Sequence, residues 1–348
     1  MPAKKTTRGV NKKKTLPRVI FIVGPTSSGK TGLSLKIAKL FSGEIVNADA
    51  RQIYKGLTIG TGKPPGRRAK YMGHDAYMVR VPYQYVFEQA GLNPQEYKVD
   101  KQDKYPEIPH YLMDFLPPTE TMSVAGWRSA ALRAIKGIVK RGHLPIVVGG
   151  TGLYISALID NFSIPKVPPN PALRESYEKQ PLEKLVNLLL KLDPYAATSV
   201  DLKNPRRVIR ALEVCTFTGK PFSRLKTKKP PVIEAFQIGF RWSREELNKR
   251  IDASILRMME EGWPEEVRKL HKRGVSWDDP AMTSIGYREM ARYLRGDILL
   301  EEAVRLAKIS THQYAKRQET WFKRDSRINW VNNDKQGIEL VRTWLNSR

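Results

Sequence analysis

The sequence is poor in cysteine, in histidine and in long apolar runs. Cys215 is the single cysteine among 348 residues, which excludes an internal disulfide and any metal site built from several cysteines. The five histidines are scattered, and no two have the spacing of metal ligands. No apolar run approaches the roughly 18 residues that cross a membrane. Because a secretory signal pattern is also missing, we predict a cytoplasmic protein without a membrane-spanning segment.

Acidic residues are scarce beside basic ones. The chain has 61 lysines and arginines against 35 aspartates and glutamates, which gives a formal net charge of +26. Such an excess indicates an anionic partner, either a nucleic acid or an anionic membrane surface. Hydrophobic residues make up 41% of the chain, which is enough for a buried core, so disorder throughout is excluded.

From Pro17 onward, short apolar runs alternate with helical periodicity, and this predicts an α/β fold with a doubly wound parallel sheet. The predicted strands lie at 18–23, 44–46, 111–115, 145–148 and 235–240. A helix is predicted to begin after Ser123, which would cap it. The predicted segments are a disordered basic tail at 1–16, a core at 17–160 with a long insertion at 66–108, an inserted helical subdomain at 161–235, completion of the core with a helical C-terminal region at 236–330, and a C-terminal tail at 331–348.

A glycine-rich loop follows the first predicted strand and opens a helix predicted at 31–40. This is the context that a Walker A phosphate-binding loop (P-loop) requires. The glycines let backbone amides point into the loop, Lys30 adds a positive charge, and the Thr31 hydroxyl can bind Mg²⁺. We therefore predict Mg²⁺ as cofactor and a binding site for a nucleotide or another diphosphate, formed by Gly24, Pro25, Thr26, Ser27, Ser28, Gly29, Lys30 and Thr31.

The loop alone does not identify the phosphate ester. An ATPase or kinase would place an acidic residue at the end of a second strand, and Asp114 is the candidate here. One open alternative is therefore an RNA-binding P-loop NTPase whose ATP hydrolysis is stimulated by RNA.

Several further stretches resemble the tRNA dimethylallyltransferases, also called tRNA isopentenyltransferases. With the loop, the stretches that carry the resemblance are 47–64, 148–154, 204–213, 284–289 and 315–322. The resemblance implies transfer of a dimethylallyl group from dimethylallyl diphosphate to N6 of adenosine 37, next to the tRNA anticodon. It also implies an anticodon stem-loop as partner, and we expect a monomer. An adenylate isopentenyltransferase acting on free nucleotide resembles the first half only and would not need the basic C-terminal stretches.

The residue chemistry agrees with this resemblance. An exocyclic adenine amine must lose a proton when it is alkylated, so a carboxylate within hydrogen-bond reach is needed. Asp49 follows the second predicted strand, where a doubly wound sheet places it beside the loop, and the resemblance implies that it is the base. Thr26 and Lys30 complete the predicted catalytic set, and Arg244 is a candidate for a further diphosphate ligand.

The resemblance also implies a set of tRNA-contacting residues. Arg206 and Arg210 lie one helical turn apart, so they would present a basic ridge to phosphates. Near the C-terminus, basic and aromatic residues alternate on one helix, a pattern that can bind phosphate and stack on bases. The predicted tRNA contacts are Asp49, Ala50, Arg51, Gln52, Thr151, Arg174, Arg206, Arg207, Arg210, Thr283, Gly286, Tyr287, Arg288, Lys316, Arg317, Gln318, Thr320, Trp321 and Lys323. At Ala50 many family members have serine.

Overall fold

An eight-stranded sheet lies at the centre of the computed structural model, which describes residues 15–81, 107–163, 165, 167–225 and 227–347. The strands are β1 (Arg18–Val23), β2 (Gly43–Asn47), β3 (Gly66–Tyr71), β4 (His74–Arg80), β5 (Glu107–Tyr111), β6 (Leu144–Gly149), β7 (Glu234–Phe240) and β8 (Ile328–Val331). Their order across the sheet is β3-β4-β5-β2-β6-β1-β7-β8. The strands β5, β2, β6, β1, β7 and β8 are parallel, while β3 and β4 form an antiparallel hairpin at the β5 edge.

Helices cover both faces of the sheet. They are α1 (Lys30–Leu40), α2 (Val124–Lys140), α3 (Gly152–Ile159), α4 (Pro171–Glu178), α5 (Leu182–Leu192), α6 (Ala196–Ser199), α7 (Pro205–Thr218), α8 (Phe222–Leu225), α9 (Arg244–Glu260), α10 (Trp263–Lys272), α11 (Tyr287–Leu294), α12 (Leu300–Phe322) and α13 (Asp334–Asn346). The apolar sides of α2 and α3 pack on one face, and those of α1 and α13 pack on the other. The predicted doubly wound α/β fold is therefore confirmed.

The central strands are the ones that the apolar runs predicted. All residues of β1 after Arg18 are buried, since β1 lies between β6 and β7 and has a helix layer on each face. The start of α2 is also confirmed, because the Ser123 hydroxyl accepts a hydrogen bond from the Gly126 N–H at 3.0 Å. These elements were predictable because their signals are local.

The strand predicted at 111–115 is wrong. The strand in this region, β5, lies earlier, and its Pro109 and His110 interrupt the apolar pattern that sequence analysis relied on. After β5 the chain turns, and both Leu112 and Asp114 adopt left-handed backbone conformations that no strand can contain. The apolar side chain of Met113 is buried beneath this turn rather than within a sheet.

The C-terminal segment 331–348 is not a loose tail. Asn333 caps α13 by accepting a hydrogen bond from the Gln336 N–H at 3.0 Å. The helix buries Ile338 and Val341 against α1, and its Asp334 forms an ion pair with the buried Lys36. The apolar residues at 338 and 341 are three positions apart, a helical signal that was too short to be recognised.

Two groups of helices pack apart from the sheet faces. The helices α4 to α8 bury a cluster of their own around Leu185, Leu189 and Leu212, and we call this group the helical subdomain. The helices α9 to α12 bury a second cluster together with Ile53 and Leu57 from the segment after β2. The predicted tail at 1–16 and insertion at 66–108 fall largely outside the described residues; within the insertion, the described parts form β3, β4 and β5.

Within the part of the chain that the structure describes, no helix combines the length and apolar character needed to traverse a bilayer.

Candidate active site

The loops that follow β1, β2 and β6 meet at the carboxyl edge of the parallel sheet, where doubly wound folds bind ligands. Gly149, the last residue of β6, allows this meeting, because a Cβ there would lie 2.2 Å from the Ala48 carbonyl. The Thr151 hydroxyl then accepts a hydrogen bond from the Ala50 N–H at 2.9 Å and ties the two loops together. A cavity of about 1990 Å³ opens at this edge and extends toward α9, α11 and α12.

The phosphate loop is held from several distant parts of the chain. Trp242 donates a hydrogen bond from its indole N–H to the Ser28 carbonyl at 2.9 Å, and the Thr26 N–H donates to Gln318 at 2.9 Å. Gly29 is the N-cap of α1 and has a positive φ of 100°. Gly29, Lys30 and Thr31 line the cavity, so the N-terminus of α1 faces it. An anion in this loop would meet the positive end of the helix dipole and free backbone amides.

Lys30 provides the positive charge of this loop, and the groups around it stabilise that charge only in part. Its ammonium donates to the Pro25 carbonyl at 2.5 Å. Burial lowers the pKa of Lys30 to about 8, although the negative charge of Asp49 opposes that shift. A bound diphosphate would supply the negative charge that the site lacks.

Asp49 lies in the same cavity as Lys30, as predicted. One of its carboxylate oxygens accepts a hydrogen bond from the Arg51 N–H at 2.8 Å, which fixes the orientation of the side chain. The Asn47 amide donates to the Asp49 carbonyl at 3.1 Å and to the Leu112 carbonyl at 2.9 Å, so the loop is anchored on both sides. The second carboxylate oxygen accepts no side-chain or backbone hydrogen bond from the described residues and is available to a substrate.

Tyr314 of α12 closes the cavity opposite Asp49. Burial raises the pKa of Tyr314, and the negative charge of Asp49 raises it further, so its hydroxyl stays protonated at physiological pH. Sequence analysis missed this residue, since nothing in its local pattern sets it apart from other helical tyrosines.

The predicted site residues divide into two groups. Those that line the cavity are Thr26, Ser27, Ser28, Gly29, Lys30, Thr31, Asp49, Ala50, Arg51, Gln52, Thr151, Arg206, Thr283, Arg288 and Arg317. Those outside its lining are Gly24, Pro25, Arg174, Arg207, Arg210, Arg244, Gly286, Tyr287, Lys316, Gln318, Thr320, Trp321 and Lys323. Of the second group, Lys316, Thr320 and Trp321 on α12 and Lys323 directly after it are exposed, so their predicted contact with tRNA stays a prediction.

Arg244 does not face the phosphate loop. It begins α9 and forms an ion pair with Glu319 of α12. Arg250, two turns further along the same helix, is the arginine that contacts the loop: its Nε donates to the Ser27 carbonyl at 3.0 Å, and its guanidinium stacks on Trp242 at 4.3 Å. Sequence analysis missed Arg250 because the contact joins residues 223 positions apart.

Two predicted tRNA contacts are buried and hold the protein together instead. The Tyr287 side chain is fully buried, and its hydroxyl donates to Glu266 at 2.5 Å. Gln318 is also buried; its amide accepts from the Thr26 N–H and donates to the Gly150 carbonyl at 2.9 Å. The structure thus gives these two side chains a packing role, and their direct contact with tRNA stays a prediction. Gly286 is likewise buried, with its backbone packed against Trp263.

In the helical subdomain, two predicted tRNA-binding arginines bind one acid. Arg174 makes a bidentate contact with Glu213 at 3.0 and 2.8 Å, and Arg210 forms a further ion pair with the same carboxylate. Burial alone would raise the pKa of Glu213, but the hydrogen bonds from Arg174, Asn170 and Arg210 lower it to about 2. Arg207 pairs with Asp201 at 3.3 Å. Arg206 alone of this ridge reaches the cavity lining.

Glu266 of α10 is a second residue that sequence analysis missed. Its carboxylate accepts hydrogen bonds from the N–H groups of Thr58 at 2.9 Å and Ile59 at 2.8 Å. It also accepts from Tyr287, so one acid joins α10, α11 and the loop that forms the floor of the cavity. The side chain of Gln52 donates to the Thr61 carbonyl at 3.1 Å and completes this floor.

Basic side chains dominate the cavity lining. Of the residues that the structure describes, ten lysines and arginines line it against four acidic residues. The basic residues are Lys30, Arg51, Lys63, Arg80, Arg206, Arg257, Arg288, Arg292, Arg295 and Arg317. This excess at one concave surface suits a polyanion much larger than a diphosphate.

Asp114 does not lie in this cavity. Its carboxylate accepts from the Lys63 ammonium at 2.5 Å and from the Gly56 N–H at 3.0 Å, and it faces a neighbouring groove. The acidic residue that an ATPase or kinase would need beside the phosphate loop is therefore engaged elsewhere.

The loop has oxygen ligands of the kind that Mg²⁺ prefers. The Thr31 side chain borders the cavity at the start of α1, and the buried Ser28 hydroxyl has no hydrogen-bond partner among the described residues. Mg²⁺ usually binds through few protein oxygens together with phosphates and waters. The residues present therefore fit the predicted ion.

Two family models match the sequence. Residues 17–73 match the family described as isopentenyl transferase, and residues 98–325 match the family described as IPP transferase. The tRNA dimethylallyltransferase of Roseiflexus sp. (strain RS-1) is 37% identical to the chain over 94% of this chain and 99% of that protein. That of Acetivibrio thermocellus is 39% identical over 92% and 93%.

Solved structures agree with these relatives. The full-length tRNA isopentenylpyrophosphate transferase from Bacillus halodurans matches with a TM-score of 0.61 and 32% identity, over 94% of this chain and 95% of that chain. A eukaryotic dimethylallyltransferase acting on tRNA matches with a TM-score of 0.71 and 25% identity, over 95% and 80%. The likeness covers the sheet, the helical subdomain and the C-terminal helices alike.

Proposed function

Because the chain belongs to the tRNA dimethylallyltransferase family, a family of prenyl-transferring enzymes, we propose that its prenyl donor is dimethylallyl diphosphate and its acceptor is N6 of adenosine 37 in tRNA. The products are N6-isopentenyladenosine at that position and diphosphate. One observation carries the proposal: Asp49 lies in the same cavity as the phosphate loop and is close enough to Lys30 to influence its pKa.

The proposed step joins the two substrates at Asp49. The N6 lone pair attacks C1 of the allylic group, the C1–O bond breaks, and its electron pair leaves with the diphosphate. N6 then carries an extra proton, which the carboxylate of Asp49 accepts. The hydrogen bond from the Arg51 N–H holds one oxygen of this carboxylate and leaves the other directed at the amine.

The phosphate loop stabilises the leaving group. Negative charge increases on the diphosphate as the C1–O bond breaks, and Lys30 and the amides at the start of α1 lie where they can oppose it. Arg250 supports the loop itself through its hydrogen bond to the Ser27 carbonyl. Thr31 would hold Mg²⁺ together with the diphosphate, and the ion would supply further positive charge to the leaving group. The Trp242 ring keeps the Arg250 guanidinium in place by stacking on it.

The basic part of the cavity would bind the anticodon stem-loop. A nucleobase reaches a carboxylate inside the cavity only when it is extruded from the loop, which costs a few kcal/mol that phosphate contacts must offset. Arg51, Arg288 and Arg317 line the cavity and are exposed to a ligand there. Because one chain supplies both halves of this cavity, we further propose that the protein acts as a monomer, in the cytoplasm where tRNA is available.

A mass measurement tests the proposal. Purified protein is incubated with Mg²⁺, dimethylallyl diphosphate and an unmodified tRNA that carries adenosine after its anticodon, and the digested nucleosides are weighed. We expect prenylated adenosine from position 37 and no ATP requirement. Product on free AMP with none on tRNA would support an adenylate isopentenyltransferase instead, and RNA-stimulated ATP hydrolysis without prenyl transfer would support an NTPase.

A further inference from the structure

A second cavity, of about 640 Å³, lies beside the first and shares Thr58 and Pro65 with it. One wall is the start of β3, and the other is the end of α10 with Leu270 and Arg273. The floor is formed by the segment around Lys55 and by the buried face of β4. We call this cavity the hairpin groove.

Positive charge converges on the hairpin groove from three elements. Lys55, Arg67, Arg68 and Arg273 line it. Arg67 pairs with Glu107 at 2.8 Å and Arg68 with Asp114 at 3.4 Å, whereas Lys55 and Arg273 form no ion pair within the described chain. Asp114, the acid that lines the groove, is already bound by the buried Lys63. The groove therefore keeps a net positive charge that the described residues do not neutralise.

Among the residues that the structure describes, the lining of the groove offers little to a nucleobase. Its aromatic residue, Tyr77, is 5% exposed, and the Tyr77 hydroxyl donates to the Pro64 carbonyl at 3.1 Å. The apolar groups of Leu270 and Val275 are buried as well. The charged ends of the lysine and arginine side chains suit phosphate groups. Without an exposed aromatic ring, these residues provide no surface on which a base could stack.

The inner strand of the hairpin lies outside the stretches shared with the family models. Those matches end at residue 73 and resume at residue 98, while β4 spans His74–Arg80. The floor of the groove thus comes partly from a segment that neither family model covers.

We propose that the hairpin groove binds backbone phosphates of the tRNA that flank the nucleotides entering the main cavity. The proposal rests on tRNA being the substrate, as stated above. Because the two cavities share Thr58 and Pro65, a strand that leaves the main cavity there meets the groove next. Lys55 and Arg273, which have no acidic partner within the described chain, are the residues that neutralise the phosphates.

The test removes both charges and measures tRNA binding without the prenyl donor. In the full-length chain, Lys55→Gln with Arg273→Gln should raise the Kd for tRNA about tenfold near 0.15 M salt. It should also lower the slope of log Kd against log salt by about 2, since each lost phosphate contact removes about one. The kcat value and the KM for dimethylallyl diphosphate should not change.

A matched variant controls for general charge loss. Lys335→Gln with Arg342→Gln removes two charges from α13, which packs against α1 and β8 at the other end of the sheet. This control should bind tRNA like the unaltered chain. An unchanged Kd and salt slope in the groove variant would overturn the proposal, and so would an equal loss in the control.

Two other results would assign the groove a different role. A raised KM for dimethylallyl diphosphate with unchanged tRNA binding would assign it to the small diphosphate and contradict us. A lower melting temperature with a lower kcat would make the two residues structural and would also contradict us. If the unaltered chain binds tRNA but yields no prenylated adenosine, the proposed reaction fails while the binding comparison still decides the role of the groove.

Discussion

The phosphate loop and the helical subdomain both carry basic residues that sequence analysis assigned to ligands, yet their surroundings differ. In the loop, Lys30 donates a hydrogen bond to a carbonyl and forms no ion pair within the described residues, and burial lowers its pKa although the negative charge of Asp49 opposes that shift. In the subdomain, Arg174 and Arg210 both bind the buried Glu213. A basic residue therefore indicates an anionic ligand when it has no acidic partner in the protein. When it pairs with a buried acid, it is much weaker evidence for a ligand.

Among the tests of this contrast between the phosphate loop and the helical subdomain, the largest change in activity is expected at Asp49. In Asp49→Asn the amide cannot accept the N6 proton, so kcat should fall by roughly 10²-fold or more, the usual range for a lost general base. The Kd for tRNA and the urea midpoint of unfolding should stay close to those of the unaltered protein, because Asp49 is only partly buried. Normal turnover in single-turnover assays would remove Asp49 from the reaction.

At Glu213 we expect the opposite pattern, lost stability with retained chemistry. Glu213→Gln leaves Arg174 and Arg210 without their counter-charge and should lower the free energy of unfolding by about 2 kcal/mol. This is below the range for a fully buried pair, since both arginines are about a third exposed. Urea titration measures this effect. Arg206→Gln, on the same helix and exposed, is the matched control and should not alter stability.

The stabilising effect of Glu213 should also depend on pH. Its folded pKa of about 2 lies below the ordinary value of 4.5, so its contribution is complete above pH 4.5 and is lost as the pH falls toward 2. The difference in stability between the unaltered protein and Glu213→Gln should therefore shrink over that interval. A difference that is constant from pH 6 to pH 3 would contradict the charge-based explanation.

The smallest expected effect concerns the pH dependence of the loop. With a pKa of about 8, Lys30 is charged at pH 7 and mostly neutral at pH 9, so kcat/KM for dimethylallyl diphosphate should fall about tenfold over that range. Lys30→Arg should lack this decrease, because a guanidinium stays protonated throughout. If kcat/KM falls equally with pH in both proteins, the titrating group is not Lys30. The contrast between the loop and the helical subdomain would then not hold.

The same contrast explains how much the sequence could predict. The phosphate loop and the turn at Asp49 were found because each is a contiguous motif beside a clear strand. Arg250 and Glu266 were missed because their contacts span more than 200 positions and no local pattern announces them. Tyr287 carried the family pattern and is buried, so the structure gives it a packing role that the sequence did not distinguish from a contact with tRNA.

Secondary structure failed where tertiary contacts replaced local preference. Strand β5 ends at Tyr111, and positive φ values at Leu112 and Asp114 turn the chain where the apolar pattern predicted that the strand would continue. The β3–β4 hairpin was not predicted because its outer strand is exposed and basic, without the alternation of a half-buried strand.

The Gln318 side chain connects the phosphate loop, near the start of the chain, to a helix that is synthesised near its end. The loop at residues 24–31 emerges early from the ribosome, but the amide that joins Thr26 to the Gly150 carbonyl emerges almost three hundred residues later. A nascent chain that stops short of α12 therefore has the complete loop motif without the side chain that fixes its shape. We therefore expect the loop to reach the shape seen here only near the end of translation, once α12 has been made.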